Sequence, residues 1–158
     1  MNLLRGLIAC ACLVWATAAW AASVRVVDGD TLEWNGETVR LWGIDAPEGS
    51  QRCETGEGKS YACGDAARDD LERILNASDL KTCTGKGRDR YKRLIATCTL
   101  QNGQDLGEAL VREGAALDYP RYSKGHYAEA EEAARKQGRG VHQGAFEKPW
   151  EWRKTHQR

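Results

Sequence analysis

The chain has 158 residues, enough for one domain with its own hydrophobic core. Its 23 basic and 23 acidic side chains give a formal net charge of zero, which argues against a protein that coats nucleic acid through bulk positive charge. An enzyme whose positive field is confined to one site is compatible with this balance.

The first 22 residues differ in kind from the rest. Arg5 is their single charged residue, an apolar run covers 6–15, and small residues surround Ala21 and Ala22. This pattern is typical of a secretory signal peptide and is too short to predict a membrane span. We therefore expect residues 1–22 to be cleaved after Ala21 or Ala22. Residues 23–158 would then form a single exported domain, periplasmic or secreted, monomeric and without stable membrane association.

Residues 24–48 predict three short strands joined by two tight turns. Apolar and polar side chains alternate, as in a half-buried strand, and Asn35-Gly36 is a strong signal for a two-residue hairpin turn. The stretch carries three carboxylates and an arginine, which are Asp30, Arg40, Asp45 and Glu48. These residue types indicate a hard-cation site beside an anion site.

Arg40 and Asp45 can share such a site only if the chain changes direction between them. Their positions differ in parity, so in an unbroken strand the two side chains would face opposite sides of the sheet. We expect the strand to bend, bulge or end at Gly43.

Four cysteines follow the predicted signal peptide, namely Cys53, Cys63, Cys83 and Cys98. An even number in an exported chain indicates disulfides, with three possible pairings. The preferred pairing is Cys53–Cys63, which would staple the loop after Glu48, and Cys83–Cys98, which would join two strands of a hairpin. Structural zinc is the alternative, although the closely spaced cysteine pair of such sites is absent from the sequence.

The rest of the chain predicts a hairpin of two strands, one further short strand and three helices. In chain order we expect a polar loop over 49–64, a helix over 65–75, hairpin arms over 80–84 and 94–100, a helix over 106–113, a short strand over 115–117, a loop over 119–122, a helix over 127–137, and a C-terminal strap over 146–158. This order indicates an α+β, mainly β fold. It fits a five-stranded OB-type Greek-key barrel with three helices packed against it.

Three motifs, in order along the chain, resemble the staphylococcal nuclease (thermonuclease) family. The first combines Asp28-Gly29-Asp30-Thr31 with Arg40-Leu41 and Ile44-Asp45-Ala46-Pro47-Glu48. The second runs through 89–96 and the third through 106–114. The resemblance covers roughly 23–153 and implies the same barrel.

The resemblance implies a Ca²⁺ site formed by the carboxylates of Asp30 and Asp45 and the backbone carbonyl of Ala46. The family has Thr where this chain has Ala46, a change that a carbonyl ligand tolerates. Taken alone, Asp30 would be a turn residue that caps its own backbone.

The resemblance also implies the catalytic roles. Glu48 would take a proton from the water that attacks phosphorus, and Arg40 and Arg93 would bind the phosphate and stabilise the charge that develops on it. Each residue also has a plainer interpretation. Glu48 would be a solvent-facing loop residue, Arg40 would lie at the rim of a strand, and Arg93 would belong to a solvated basic hairpin tip.

A second group of residues is expected to bind substrate. By resemblance, Arg90 and Tyr91 would contact a terminal phosphate, and Tyr119 and Tyr122 would flank a base. Aromatic faces accept any base, which suits an enzyme that prefers single strands without reading their sequence.

The sequence thus predicts an exported Ca²⁺-dependent nuclease that hydrolyses DNA and RNA with little sequence specificity and, by resemblance, leaves 3′-phosphates. The alternative is a catalytically silent OB-type module that binds single-stranded nucleic acid or a protein partner. Such a module should lack one or more of five polar residues, all of which are present here: Asp30, Arg40, Asp45, Glu48 and Arg93.

Overall fold

A computed structural model describes residues 23–156. The predicted signal peptide and the last two residues of the predicted strap lie outside this range. The strands are β1 (Val24–Asp28), β2 (Thr31–Trp34), β3 (Glu37–Leu41), β4 (Ile44–Asp45), β5 (Arg52–Glu54), β6 (Ser60–Ala62), β7 (Leu80–Arg88), β8 (Leu94–Leu100) and β9 (Leu117–Asp118). The α-helices are α1 (Cys63–Ala77), α2 (Leu106–Arg112), α3 (Pro120–Ser123), α4 (Ala128–Lys136) and α5 (Pro149–His156), with a 3-10 helix at Gly140–Gln143.

Five strands form one mixed sheet in the order β1-β2-β3-β8-β7. All neighbours are antiparallel except β3 and β8, which run parallel. Two small antiparallel pairs, β4 with β9 and β5 with β6, stand apart from this sheet. The topology is compatible with an OB-type α+β fold. Within residues 23–156, however, no strand pairing joins the edge strands β1 and β7 into a closed barrel.

The main hydrophobic core lies between the inner face of the sheet and the helices. Leu32, Val39 and Leu100 of the sheet are buried against Leu71 of α1 and Leu110 of α2. A second, smaller cluster contains Cys53, Cys63, Leu117 and Val141, and it is covered by Tyr61, Phe146 and Trp150. This second cluster lies under the segment that leads into α5.

The structure differs from the sequence prediction mainly in its short elements. Three helices were too few for the described part of the chain, because the expected loop at 119–122 contains α3 and the strap contains α5. The loop at 49–64 contains the β5–β6 hairpin. These elements are only three to eight residues long, too short for apolar periodicity to reveal them reliably.

Both disulfides of the preferred pairing are present. Cys53–Cys63 links β5 to the first residue of α1, and Cys83–Cys98 joins directly opposed residues of β7 and β8. All four cysteines that follow residue 22 are therefore bonded, which contradicts a zinc–thiolate site.

None of the helices within residues 23–156 is long and apolar enough to cross a membrane.

Candidate active site

The predicted break at Gly43 is confirmed. Strand β3 ends at Leu41, and β4 begins at Ile44 after a two-residue turn. Gly43 has a φ of +75°, in the left-handed region that favours glycine. The turn lets Arg40 and Asp45 meet although their positions differ in parity.

Arg40 bridges the two aspartates. One of its terminal nitrogens pairs with Asp30 Oδ2, and Nη2 donates to Asp45 Oδ1 at 2.8 Å. The backbone N–H of Ala46 also donates to Asp30 Oδ2, at 2.7 Å. Asp45 is fully buried and Asp30 nearly so, while the Arg40 side chain keeps 17% exposure. The carboxylates are thus fixed in the interior and the guanidinium lies at its edge.

A second arginine enters this cluster from the C-terminal helix. Arg153 of α5 donates from Nη1 to Asp45 Oδ1 at 3.0 Å and from Nη2 to Asp45 Oδ2 at 2.7 Å. Its Nη1 also donates to Glu48 Oε1 at 2.6 Å. The cluster therefore contains three carboxylates and two guanidinium groups, Arg40 and Arg153.

Glu48 is held by its backbone as well as by its side chain. Its N–H donates to Gln51 Oε1 at 3.2 Å, and Gln51 Nε2 donates in turn to the carbonyl of Glu147 at 2.6 Å. Helix α1 packs closely here, because a Cβ added at Gly64 would lie 1.9 Å from the Glu48 carbonyl oxygen. The Glu48 side chain itself keeps 36% exposure, so its carboxylate is open to water.

Burial dominates the electrostatics of Asp30. It raises the pKa of Asp30 to about 7, and the neighbouring Arg40 only partly opposes it. For Arg153, burial lowers the pKa, but the hydrogen bonds to Asp45 and Glu48 outweigh burial and the net direction is upward. Burial therefore prevails over the neighbouring opposite charge in setting the pKa of Asp30, whereas the hydrogen bonds prevail over burial in setting the pKa of Arg153.

The carboxylate oxygens of this cluster fit a hard divalent cation. Each carboxylate oxygen can accept two bonds. Among the described residues, Asp45 Oδ2 accepts one, from Arg153, and Asp30 Oδ1 accepts one, from Thr31 at 3.3 Å. Oxygen ligands are those that Ca²⁺ prefers, and the three carboxylates, when all are ionised, outnumber the two guanidinium groups. Within residues 23–156, no three or more His, Cys, Asp and Glu side chains are grouped closely enough to hold an ion by themselves.

Arg93 lies outside this cluster of contacts. It follows the β7–β8 turn, and its Nε donates to Asp89 Oδ2 at 2.7 Å. Asp89 also accepts the backbone N–H groups of Tyr91 and Arg93, so it organises the turn. Arg90 donates to the Tyr91 hydroxyl at 2.6 Å, and the Tyr91 ring is 64% exposed. The structure therefore places Arg93, predicted to be catalytic, beside Arg90 and Tyr91, predicted to bind substrate, in the turn that leads into β8.

The predicted tyrosines lie beside the C-terminal helix. Tyr119 and Tyr122 meet edge to face with ring centroids 5.0 Å apart. Trp150 of α5 stacks on Tyr119 with centroids 4.8 Å apart and nearly parallel planes. Tyr122 is more than half exposed, with the guanidinium of Arg121 over its ring, whereas Trp150 covers Tyr119.

Comparison with known proteins assigns the chain to a family. The family described as "Staphylococcal nuclease homologue" matches residues 38–143, about two thirds of the chain. The chain belongs to the staphylococcal nuclease family.

Individual relatives extend the comparison. The chain is 40% identical over 116 residues to "Succinoglycan biosynthesis protein ExoI" of Rhizobium meliloti (strain 1021), an alignment that covers 73% of this chain and 61% of that protein. It is 33% identical over 136 residues to an "Uncharacterized endonuclease" of Escherichia coli O157:H7, with 82% of each chain covered. It is 32% identical over 119 residues to "Staphylococcal-like nuclease CAN1" of Arabidopsis thaliana, covering 74% of this chain and 33% of that protein.

Sequence reasoning missed two residues of the candidate site. Gln51 is a fully buried amide that links Glu48 to Glu147, but in the sequence it appears inside a polar loop. Arg153 is separated from Asp45 by 108 residues. The sequence does contain a signal for α5. Pro149 stands at the first helical position and basic residues occupy the last turn, and both features are typical of helix ends.

Proposed function

We propose that this member of the staphylococcal nuclease family is an exported, Ca²⁺-dependent nuclease that hydrolyses DNA and RNA phosphodiesters with little sequence specificity and leaves 3′-phosphates. The observation that carries the proposal is the cluster itself. Arg40 bridges Asp30 and Asp45, and the partly exposed carboxylate of Glu48 lies beside it. Relatives named as nucleases support the hydrolase class.

In the proposed reaction, Glu48 accepts a proton from a water molecule as the water oxygen bonds to phosphorus. The bond from phosphorus to the 5′ oxygen breaks, that oxygen takes a proton from solvent and leaves as a hydroxyl, and the phosphate stays on the 3′ oxygen. Glu48 then returns its proton to solvent. Arg40 and Arg93 stabilise the charge that builds on the non-bridging oxygens, because a guanidinium pairs with two phosphate oxygens and remains charged at any working pH.

Asp30, Asp45 and the carbonyl of Ala46 would hold the Ca²⁺. When bound, such an ion neutralises charge on the phosphoryl group and polarises it. Other residues would bind the parts of the substrate that flank the scissile phosphate. Arg90 and Tyr91 would bind a terminal phosphate. Tyr122, with Tyr119 behind it, would stack on a base. Stacking that ignores base identity favours single strands of either nucleic acid.

Export is the proposal's other part. Structural disulfides are typical of proteins in oxidising compartments, so the two disulfides support the periplasm or the medium as the site of action. The chain is proposed to act there as a monomer.

The decisive experiment is digestion of denatured DNA and of RNA by the oxidised protein, with Ca²⁺ and with a chelator. Glu48→Gln should lower cleavage by about 100- to 10,000-fold, the usual contribution of a general base. Glu129→Gln, at an exposed glutamate of α4, is the matched control and should cleave like the wild type. Product ends are assigned by their sensitivity to a 3′-phosphatase.

Two results would contradict the proposal. Cleavage that persists in the presence of the chelator would show that the activity does not require Ca²⁺. A folded, Ca²⁺-loaded protein that retains single strands without cutting them would instead be the silent binding module.

A further inference from the structure

Arg153 of the C-terminal helix contacts two carboxylates of the candidate active site. Nη1 of Arg153 is shared between Asp45 Oδ1 and Glu48 Oε1, at 3.0 and 2.6 Å. Nη2 of the same group holds Asp45 Oδ2 at 2.7 Å. One planar guanidinium therefore ties the candidate base to a candidate metal ligand.

The Asp45 side chain is held in one position by its surroundings, whereas the Glu48 side chain has fewer contacts that restrict its rotamer. The Asp45 side chain is fully buried and is held by Arg40 as well. The Glu48 side chain is 36% exposed, and its other described anchor is a backbone bond to Gln51, which leaves the side-chain torsions free. Without Arg153, the Glu48 carboxylate would sample several rotamers in water.

Helix α5 does not depend on Arg153 for its position. Trp150 stacks on Tyr119 at 4.8 Å and packs against the Cys53–Cys63 cluster, and Pro149 is buried. The segment before the helix is fixed by the bond from Gln51 to the Glu147 carbonyl. The position of Arg153 is therefore imposed by packing elsewhere on the helix, which makes it a preorganised group.

We propose that Arg153 is a positioning residue that holds the Glu48 carboxylate in its productive rotamer against Asp45. The inference rests on the proposed function, because it requires Glu48 to act on a water molecule. A misplacement of about 1 Å in a reacting group can cost about 100-fold in rate, so a single lost orienting contact has a measurable effect.

The test compares Arg153→Gln and Arg153→Lys with Lys154→Gln. Lys154 is the next residue of α5, is exposed, and pairs with Glu151 on the same helix, so its replacement removes the same charge from the same helix without touching the cluster. Arg153→Gln should lower kcat by about 10- to 100-fold with little change in KM, since the substrate contacts stay in place. Arg153→Lys should recover part of kcat, because an ammonium can hold Glu48 but cannot span both carboxylates. Lys154→Gln should match the wild type.

A second readout is independent of activity. Ca²⁺ binding by the substrate-free variants, measured by calorimetry, should be as tight as in the wild type or tighter, because a positive charge has been removed beside the ligands. Unchanged thermal unfolding and near-ultraviolet circular dichroism would exclude loss of the fold.

Several outcomes would overturn the inference. If the wild type cleaves and Arg153→Gln matches Lys154→Gln, Glu48 needs no such support. If kcat is kept and KM rises, Arg153 binds substrate instead. If Arg153→Gln cleaves faster than the wild type, Arg153 blocks the site. A wild type that does not cleave at all would contradict the proposed function itself.

Discussion

Asp30 is placed where ionisation is costly. It lies in the turn between β1 and β2, its side chain is nearly fully buried, and burial raises its pKa to about 7 despite the contact with Arg40. When ionised, such a buried carboxylate destabilises the folded state in the absence of a further cation, and a bound cation would offset that cost. The cost in stability and the proposed role in Ca²⁺ binding thus have the same physical origin.

The stability of the Ca²⁺-free protein should therefore depend on the ionisation of Asp30. Its pKa is higher in the folded chain than the ordinary value of 3.8, so the folded state binds the proton more tightly. The contribution of Asp30 to stability is complete below that ordinary value and is lost as the pH rises through about 7. Asparagine cannot ionise, so Asp30→Asn avoids the cost of a buried charge at high pH. At pH 8 in chelator, the substitution should raise the free energy of unfolding by about 1–4 kcal/mol.

Urea denaturation at pH 5 and pH 8 measures this difference. The gain should be clearly larger at pH 8 than at pH 5, and Asp79→Asn, at an exposed aspartate, should show neither effect. An Asp30→Asn variant that is less stable than the wild type at both pH values would show that the bond to Ala46 and the pair with Arg40 outweigh the cost of burial.

The turn between β3 and β4 is the element on which the site depends. It was predictable because the parity of Arg40 and Asp45 demands a break and Gly43 is the residue that can make one. In contrast, α5 was predicted only as a strap. Its eight residues carry a weak pattern, and what matters about it, the contact of Arg153 with Asp45, joins positions that no local rule connects.

Gly43→Ala should disturb both stability and cleavage. The φ of +75° strains any other residue, and the added Cβ would lie 3.1 Å from Ser123 Cβ and 3.2 Å from Tyr127 Cε2. We expect the free energy of unfolding to fall by about 2 kcal/mol, from the left-handed backbone together with the crowding. Cleavage should also fall, because the turn sets Arg40 against Asp45.

Gly36→Ala is the matched control. Gly36 has a φ of +81°, but a Cβ there meets nothing within 4 Å. It should show the backbone cost alone, about 1 kcal/mol, with normal cleavage at temperatures where it is folded. If the two variants lose activity equally, the geometry of the β3–β4 turn does not control the site.

At the scale of the whole molecule, the two disulfides serve two different clusters. Cys98 belongs to the main core between sheet and helices, with Cys83 packed against it. Cys53 and Cys63 belong to the smaller cluster that Phe146 and Trp150 cover. The second cluster supports the start of α1 beside Glu48 and the segment that brings in α5, so it connects most directly to the candidate site.

Removing each disulfide should therefore cost similar stability but different activity. The sequence separations of 10 and 15 residues predict a loss of about 3 kcal/mol for either bond in the chain-entropy account. The double variant C53A/C63A should also lose about 10-fold or more in kcat, because both the Glu48 backbone and α5 rest on that cluster. C83A/C98A should cleave normally once folded. Thermal unfolding and single-strand cleavage, both measured well below the midpoint, separate the two effects. Equal loss of kcat in the two variants would mean that the small cluster has no special connection to the site.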